Sequence, residues 1–215
     1  MTPIQQLFLG AGGVAEKTYV DDLFHTQVHL GTGSNRTITN GLDLAGEGGL
    51  IWGKNRNKTF NHTMFDNVRG LTKTISSASN ASESTYNGNG VTGFTSTGYT
   101  LGDDQGYGGL NYSGVHGTDF LHVLWSLREA KGFFDIVSYT GNGTAGRTVA
   151  HSLGCVPGFI MIKRTNDADD WAVYHREVGA ADGLTLNENS SSGGGSALWN
   201  DTEPTASVFS VGTSD

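Results

Sequence analysis

Asp167, Asp169 and Asp170 fall within four positions and could gather oxygen ligands around calcium, a hard cation that takes several carboxylates from a loop. The other paired acids, Asp21-Asp22 and Asp103-Asp104, also lie in turn-like surroundings. Cleaving a glycan needs two carboxylates about 5–9.5 Å apart across a cleft. No expected strand spaces two of them onto one face. His29, His116, His122, His151 and His175 are scattered, with no i, i+2 pair on one expected strand, so they do not read as metal ligands. His122, between Phe120 and Leu124 in the alternation, reads as a half-buried strand residue. There is no Gly-x-Ser-x-Gly elbow, phosphate loop or His-Glu-x-x-His helix. Gly31-x-Gly33 and Gly106-x-x-Gly109 are turn glycines without a following helix, not a dinucleotide fingerprint. The chain is therefore read as a non-enzyme, with no catalytic residue, no cofactor and no metal site, and the aspartates as a solvated acidic loop.

The tryptophans raise a different chemistry, the stacking of sugars on aromatic faces. Trp52 and Trp125 lie in apolar alternations and read as core. Trp199, in Ala197-Leu-Trp-Asn-Asp201 after a Ser/Gly loop, is the exposed candidate for glycan contact. The single Cys155 excludes an internal disulfide framework, and its apolar turn Leu153-Gly-Cys-Val-Pro157 suggests a buried, inert thiol. Eight Asn-x-Ser/Thr triplets, Asn35-Arg-Thr37 among them, read as turn chemistry, because the first residues do not show the charged start and apolar core of a signal peptide.

The elements that must position these residues are written twice. Val28-His-Leu-Gly-Thr-Gly, Arg36-Thr-Ile and Gly49-Leu-Ile-Trp-Gly-Lys54 return as Val137-Ser-Tyr-Thr-Gly-Asn-Gly, Arg147-Thr-Val and Gly158-Phe-Ile-Met-Ile-Lys163, at an offset of 109–111 residues. That period is the size of a small domain, not of a solenoid rung. Glycine supplies 33 of 215 residues, roughly twice the usual ~7%, and sits between short apolar alternations where turns need it. The expectation is an all-β chain: an extended arm over residues 1–22, a first antiparallel β-sandwich of jelly-roll or lectin-like type over 23–133, and a second over 134–215. Strands are expected at Phe24–Leu30, Arg36–Thr39, Gly49–Lys54, His62–Asp66, Thr72–Ser76, Thr92–Leu101 and Phe120–Leu127. In the last, Leu121, Val123, Trp125 and Leu127 alternate onto one face, which should be the buried one. The short linker Arg128–Phe133 should hold the modules in fixed orientation. The second module has no counterpart of residues 106–133 and so lacks one apolar strand. It is expected to be completed by chain beyond Asp215, or less readily by another subunit.

A net charge of −8 and a pI near 5.2 argue against nucleic-acid binding, and no run approaches the ~20 apolar residues of a membrane span. The arm carries an isolated apolar cluster, Ile4, Leu7, Phe8 and Leu9, ahead of Gly10-Ala-Gly-Gly13. Such a segment needs a surface to dry against and is read as a docking peptide for a neighbouring protein, ahead of a leader packed on its own first domain.

The opening Met1-Thr-Pro-Ile-Gln-Gln-Leu-Phe-Leu-Gly10, with Lys17-Thr-Tyr-Val-Asp-Asp22 and Thr39-Asn-Gly-Leu-Asp-Leu-Ala-Gly-Glu-Gly-Gly-Leu-Ile-Trp52, resembles virion proteins of marine, cyanophage-like bacteriophages. Tyr139–Gly143, Ala150–Arg164 and Trp171–His175 resemble the same family, so the likeness runs along nearly the whole chain. It implies a tail-fibre subunit made in the host cytoplasm and located in the virion. Its arm would attach to phage tail or adaptor proteins through Ile4, Leu7, Phe8 and Leu9. The same likeness implies a homo-oligomer, a trimer first. A host-surface glycan-binding module and a head-attached fibre or decoration protein are the alternatives.

Overall fold

The computed structural model describes residues 18–86, 90–103, 109–114, 120–189 and 193–214. In chain order the first part holds a 3-10 turn (Val20–Asp22), β1 (Phe24–Leu30), β2 (Arg36–Thr39), α1 (Leu44–Glu47), β3 (Gly49–Asn55), β4 (Thr63–Asp66), β5 (Lys73–Thr74), β6 (Ser84–Thr85), β7 (Val91–Thr95), β8 (Gly98–Leu101) and β9 (Leu121–Arg128). The second part adds β10 (Arg147–Ala150), β11 (Phe159–Ile162), β12 (Ala172–His175), β13 (Leu184–Thr185), α2 (Gly195–Trp199) and β14 (Val208–Val211). Among the described residues the chain is all-β apart from the 3-10 turn and two short helices, as its alternations and glycine-rich turns imply. The expected strand at Thr92–Leu101 is instead a hairpin of β7 and β8, broken at Ser96-Thr97 where the chain turns back.

Every named ladder is antiparallel. One sheet runs β1-β9-β3-β4 and another β2-β8-β7; the second part has β11-β12-β13 and the pair β10-β14. The repeat seen in the sequence reappears in register. Ile51↔Phe65 and Trp52↔Met64 on β3–β4 correspond to Ile160↔Tyr174 and Met161↔Val173 on β11–β12. Arg36↔Leu101 and Ile38↔Tyr99 likewise correspond to Arg147↔Val211 and Val149↔Phe209. Equal spacing in sequence has produced equal pairing in space.

Side chains alternate across a strand, so each sheet sends one set of residues to each face. Ile51, Phe65 and Leu124 meet Ile38, Tyr99, Leu101 and Val91 in the core between the first two sheets. The opposite face of β9-β3-β4 sends Leu127, Leu50, Trp52 and Met64 against Trp171, Met161, Phe134 and Ile136 of the second part. A third layer of contacts joins Ile160 and Ile162 to Val149, Phe209 and Val211. The result is four sheets stacked face to face, with the two repeats back to back.

Polar contacts fix that stacking. The Trp171 indole N–H donates to the Ser76 carbonyl at 2.8 Å, Glu83 N–H to Thr165 O at 2.8 Å, and Asp169 N–H to Asn80 O at 2.9 Å. Arg69 grips the same corner, bonding Asp66 Oδ2 at 2.6 Å and Glu83 Oε2 at 3.3 Å. The expected fixed orientation of the modules thus rests on more than the linker: it has a core of its own.

The inner and outer faces of β9 are unlike the expectation. His122, Leu124 and Ser126 are fully buried, while Leu121, Val123, Trp125 and Leu127 are only half-buried. The apolar set faces outward because the inward set is what the β2-β8-β7 sheet covers, and the second repeat covers the outward set only at its Leu127 end.

Trp171→Ala should therefore cost about 3–5 kcal/mol, the range for emptying a large aromatic site. Urea unfolding monitored by circular dichroism checks the midpoint shift, and an unchanged midpoint would contradict the shared core.

Candidate functional site

The inner face of the β1-β9-β3 sheet ends in a buried polar row. Register places His29 opposite His122, and His122 opposite Asn55. All three are buried, and the two imidazoles stack with centroids 5.3 Å apart and planes 24° from parallel. His29 Nε2 lies 3.0 Å from Leu110 O, and His122 Nε2 lies 3.1 Å from Tyr112 O. A carbonyl only accepts, so both Nε2 atoms donate and both Nδ1 atoms carry bare lone pairs. Among the described residues neither Nδ1 atom has a partner, and neither does the Asn55 amide.

The segment around Leu110–Tyr112 lies over this row and is itself tied down. Fully buried Asn111 accepts from Thr32 N at 3.1 Å and donates to Ser34 O at 2.7 Å and Gly102 O at 2.9 Å. Gly31 permits the approach: a Cβ there would sit 1.9 Å from Tyr112 O. Burial, with Arg36 and His122 adding to it, lowers the His29 pKa to about 4; burial also lowers that of His122. The row is a pair of neutral imidazoles held between carbonyls, suited to sensing acid.

The outer face carries an aromatic cluster at the limit of what the second repeat covers. Trp52 and Trp125 are neighbours across β3 and β9, edge to face at 6.0 Å and 71°. His62 stacks on Trp125 at 6.4 Å and 18°, and accepts the Trp52 indole N–H at Nδ1, 3.1 Å away. That bond leaves the ring proton on Nε2. Burial and the nearby Lys54 lower the His62 pKa. Beyond the cluster the same face is open: Val28 is 47% exposed and Leu30 50%. A half-buried aromatic group beside exposed aliphatics offers stacking and dry contact, the chemistry of a flat apolar or sugar-like partner.

The residues singled out from the sequence are placed differently. Ile4, Leu7, Phe8 and Leu9 lie outside the described residues, as does most of the arm. Trp199 is corrected: it is 2% exposed, edge to face with Tyr174 at 5.9 Å, because α2 turns it inward behind the glycine-rich loop. A ring so covered presents no face to a glycan. Burial, and then the hydrogen bond it donates to Glu203, raise the Tyr174 phenol to about 12, and the same bond lowers the Glu203 carboxyl. Trp125, expected in the core, lies in the outer cluster beside Trp52, which packs against the second core. His122 is fully buried, not half-buried. Cys155 is exposed, because the turn that holds it buries only Pro157.

Asp167 pairs loosely with Arg164 at 3.8 Å, and Asp170 accepts from Asn187 at 2.7 Å. Among the described residues no three His, Cys, Asp or Glu side chains come together as a metal set. The same residues contain no helix long and apolar enough to cross a membrane.

The histidine pair escaped the sequence because the search was made along single strands. Its partners sit 93 positions apart, on strands whose neighbourhood only the sheet order reveals.

Over residues 20–215 the chain matches a family described as a domain of unknown function (DUF7483), and it belongs to that family. No curated protein and no solved structure matches it.

The histidine row sets a pH dependence. The unfolded chain protonates His29 near 6.5, while the folded chain resists until about 4. Stability present above pH 6.5 should therefore fall as pH drops toward 4, by up to about 1.4 kcal/mol per pH unit for this one residue. Denaturation midpoints from pH 7 to 4.5 check it, and His29→Gln should flatten the slope.

Proposed function

We propose that this chain is a non-enzymatic virion structural protein of tail-fibre type. Its arm attaches to a neighbouring tail or adaptor protein, and two tandem β-sandwich modules follow as a stiff body. The observation that carries the reading is the back-to-back burial of the two repeats through Leu50, Met64, Ile75 and Trp171, which packs a duplication into one stack of sheets. The sequence likeness to cyanophage-like virion proteins supplies the setting, and homo-oligomeric assembly, three-fold first, follows from it. The arm gains main-chain and dry contacts together on assembly.

The test is incorporation. In a phage carrying this protein, Leu7→Asp with Phe8→Asp should reduce its abundance in purified particles at least tenfold without changing its level in lysate. Normal incorporation would remove the attachment role.

The aromatic outer face favours a second reading, recognition of a host-surface glycan. Trp125→Ala should then lower affinity for a glycan-array hit about tenfold, in line with roughly 1–2 kcal/mol for a stacking aromatic. An array without hits for the oligomeric protein would leave the structural reading alone.

A further inference from the structure

In the sheet β1-β9-β3-β4, β1 has a neighbour on one side only among the described residues. Arg128 N donates to Leu23 O at 2.8 Å and Gly31 N to Phe120 O at 2.9 Å, so the odd-numbered residues of β1 turn their main-chain groups to β9. Alternation then turns those of Phe24, Thr26, Val28 and Leu30 to the free edge. Side chains hold two of these carbonyls. The Gln27 amide donates to Val28 O at 2.9 Å, and Arg36 Nη1 to Leu30 O at 3.2 Å.

An open edge is a template for another strand, and natural sheets guard it with charge, proline, bulges or brevity. Other edges of this fold carry such guards. β2 has four residues and opens with Arg36, β10 has four and opens with Arg147, and β7 is bulged between Val91 and Gly93. β1 has seven residues, Phe24-His-Thr-Gln-Val-His-Leu30, in unbroken register and without Asp, Glu, Lys, Arg or Pro. Exposed apolar side chains flank it, Tyr19 and Val20 just ahead of the strand and Val28 and Leu30 toward its far end.

We propose that β1 pairs antiparallel with β1 of a second copy, about a two-fold axis at Thr26, joining the two four-stranded sheets into one. Three observations select this occupant and this register. Edge-facing residues must meet edge-facing residues, so Thr26 meets its own copy and Phe24 meets Val28 of the second copy. A hydroxyl pair and an aromatic–β-branched pair are both favourable across strands. The same register sets Asp22 opposite Leu30 of the second copy, whose carbonyl holds the Arg36 guanidinium. The exposed acids Asp21 and Asp22 thus meet a cation at both ends of the ladder, whereas a parallel pair would set acid beside acid. On the inner face, the His25 Nδ1 is buried without a partner among the described residues. The register brings Gln27 of the second copy, an amide donor, opposite that ring. The contact is isologous and rests on β1 alone, not on the virion setting. A three-fold axis in a fibre would be a separate contact.

Light scattering on the full chain, over a concentration series, tests it. The wild type should be a dimer, or a hexamer where a three-fold axis also acts. Thr26→Pro removes only a donor that faces the free edge, and should halve either mass. Val28→Lys, at an exposed position, should do the same and keeps the test open should proline disturb the strand. Hydrogen exchange gives a second reading. The Phe24, Thr26 and Val28 amides should be protected in the wild type and exchange at least tenfold faster in Val28→Lys, while the β9 amides stay protected and report that the fold survives. Asp22→Arg should weaken the pairing, and Asp22→Arg with Arg36→Asp should restore it. A monomeric wild type, or an assembly whose mass neither edge substitution lowers, overturns the inference. Protected edge amides in a monomer would do so too, by showing that the chain covers its own edge. None of these readings touches the particle-incorporation test.

Discussion

The structure depends on β9 having a neighbour on each edge and a partner on each face. Main-chain hydrogen bonds join it to β1 and β3, Leu124 points into the first core, and Leu127 points into the second. A strand used on all four sides must be apolar in both alternations, and Leu121–Arg128 is nearly so. Its exceptions, His122 and Ser126, are buried on the inner face, where each contacts a group from another element: the Tyr112 carbonyl for one and the Asn40 amide for the other. The first repeat closes because β9 is present.

Among the described residues the second repeat pairs in two separate ladders. Its two ladders keep their register, and Val149, Phe209 and Val211 still find Ile160 and Ile162. Burial against the first repeat adds to these contacts, since Trp171, Met161 and Phe134 share a core with Leu50 and Met64.

Much of this was legible in the residues. The offset of 109–111 residues foretold which strands would pair alike, because register follows from spacing once neighbours are fixed. Phe24–Leu30 and Arg36–Thr39 have the bounds their alternation implies. What the sequence withheld was which face of a strand the rest of the chain would cover. Trp125 and Trp199 exchanged places for that reason. Alternation marks two faces but not the inside one, and a Ser/Gly loop tells nothing of where the following helix points. The histidine row is the same lesson in polar form, since it exists only once β1 and β9 are known to be adjacent.

Cys155 ends as the opposite of a sealed core thiol. It is the one sulfhydryl of the chain, exposed on a turn in the second repeat. Maleimide reagents will therefore modify the protein at a single, known point. A dye or gold particle placed there marks the position of the second repeat within any larger assembly, without an engineered tag.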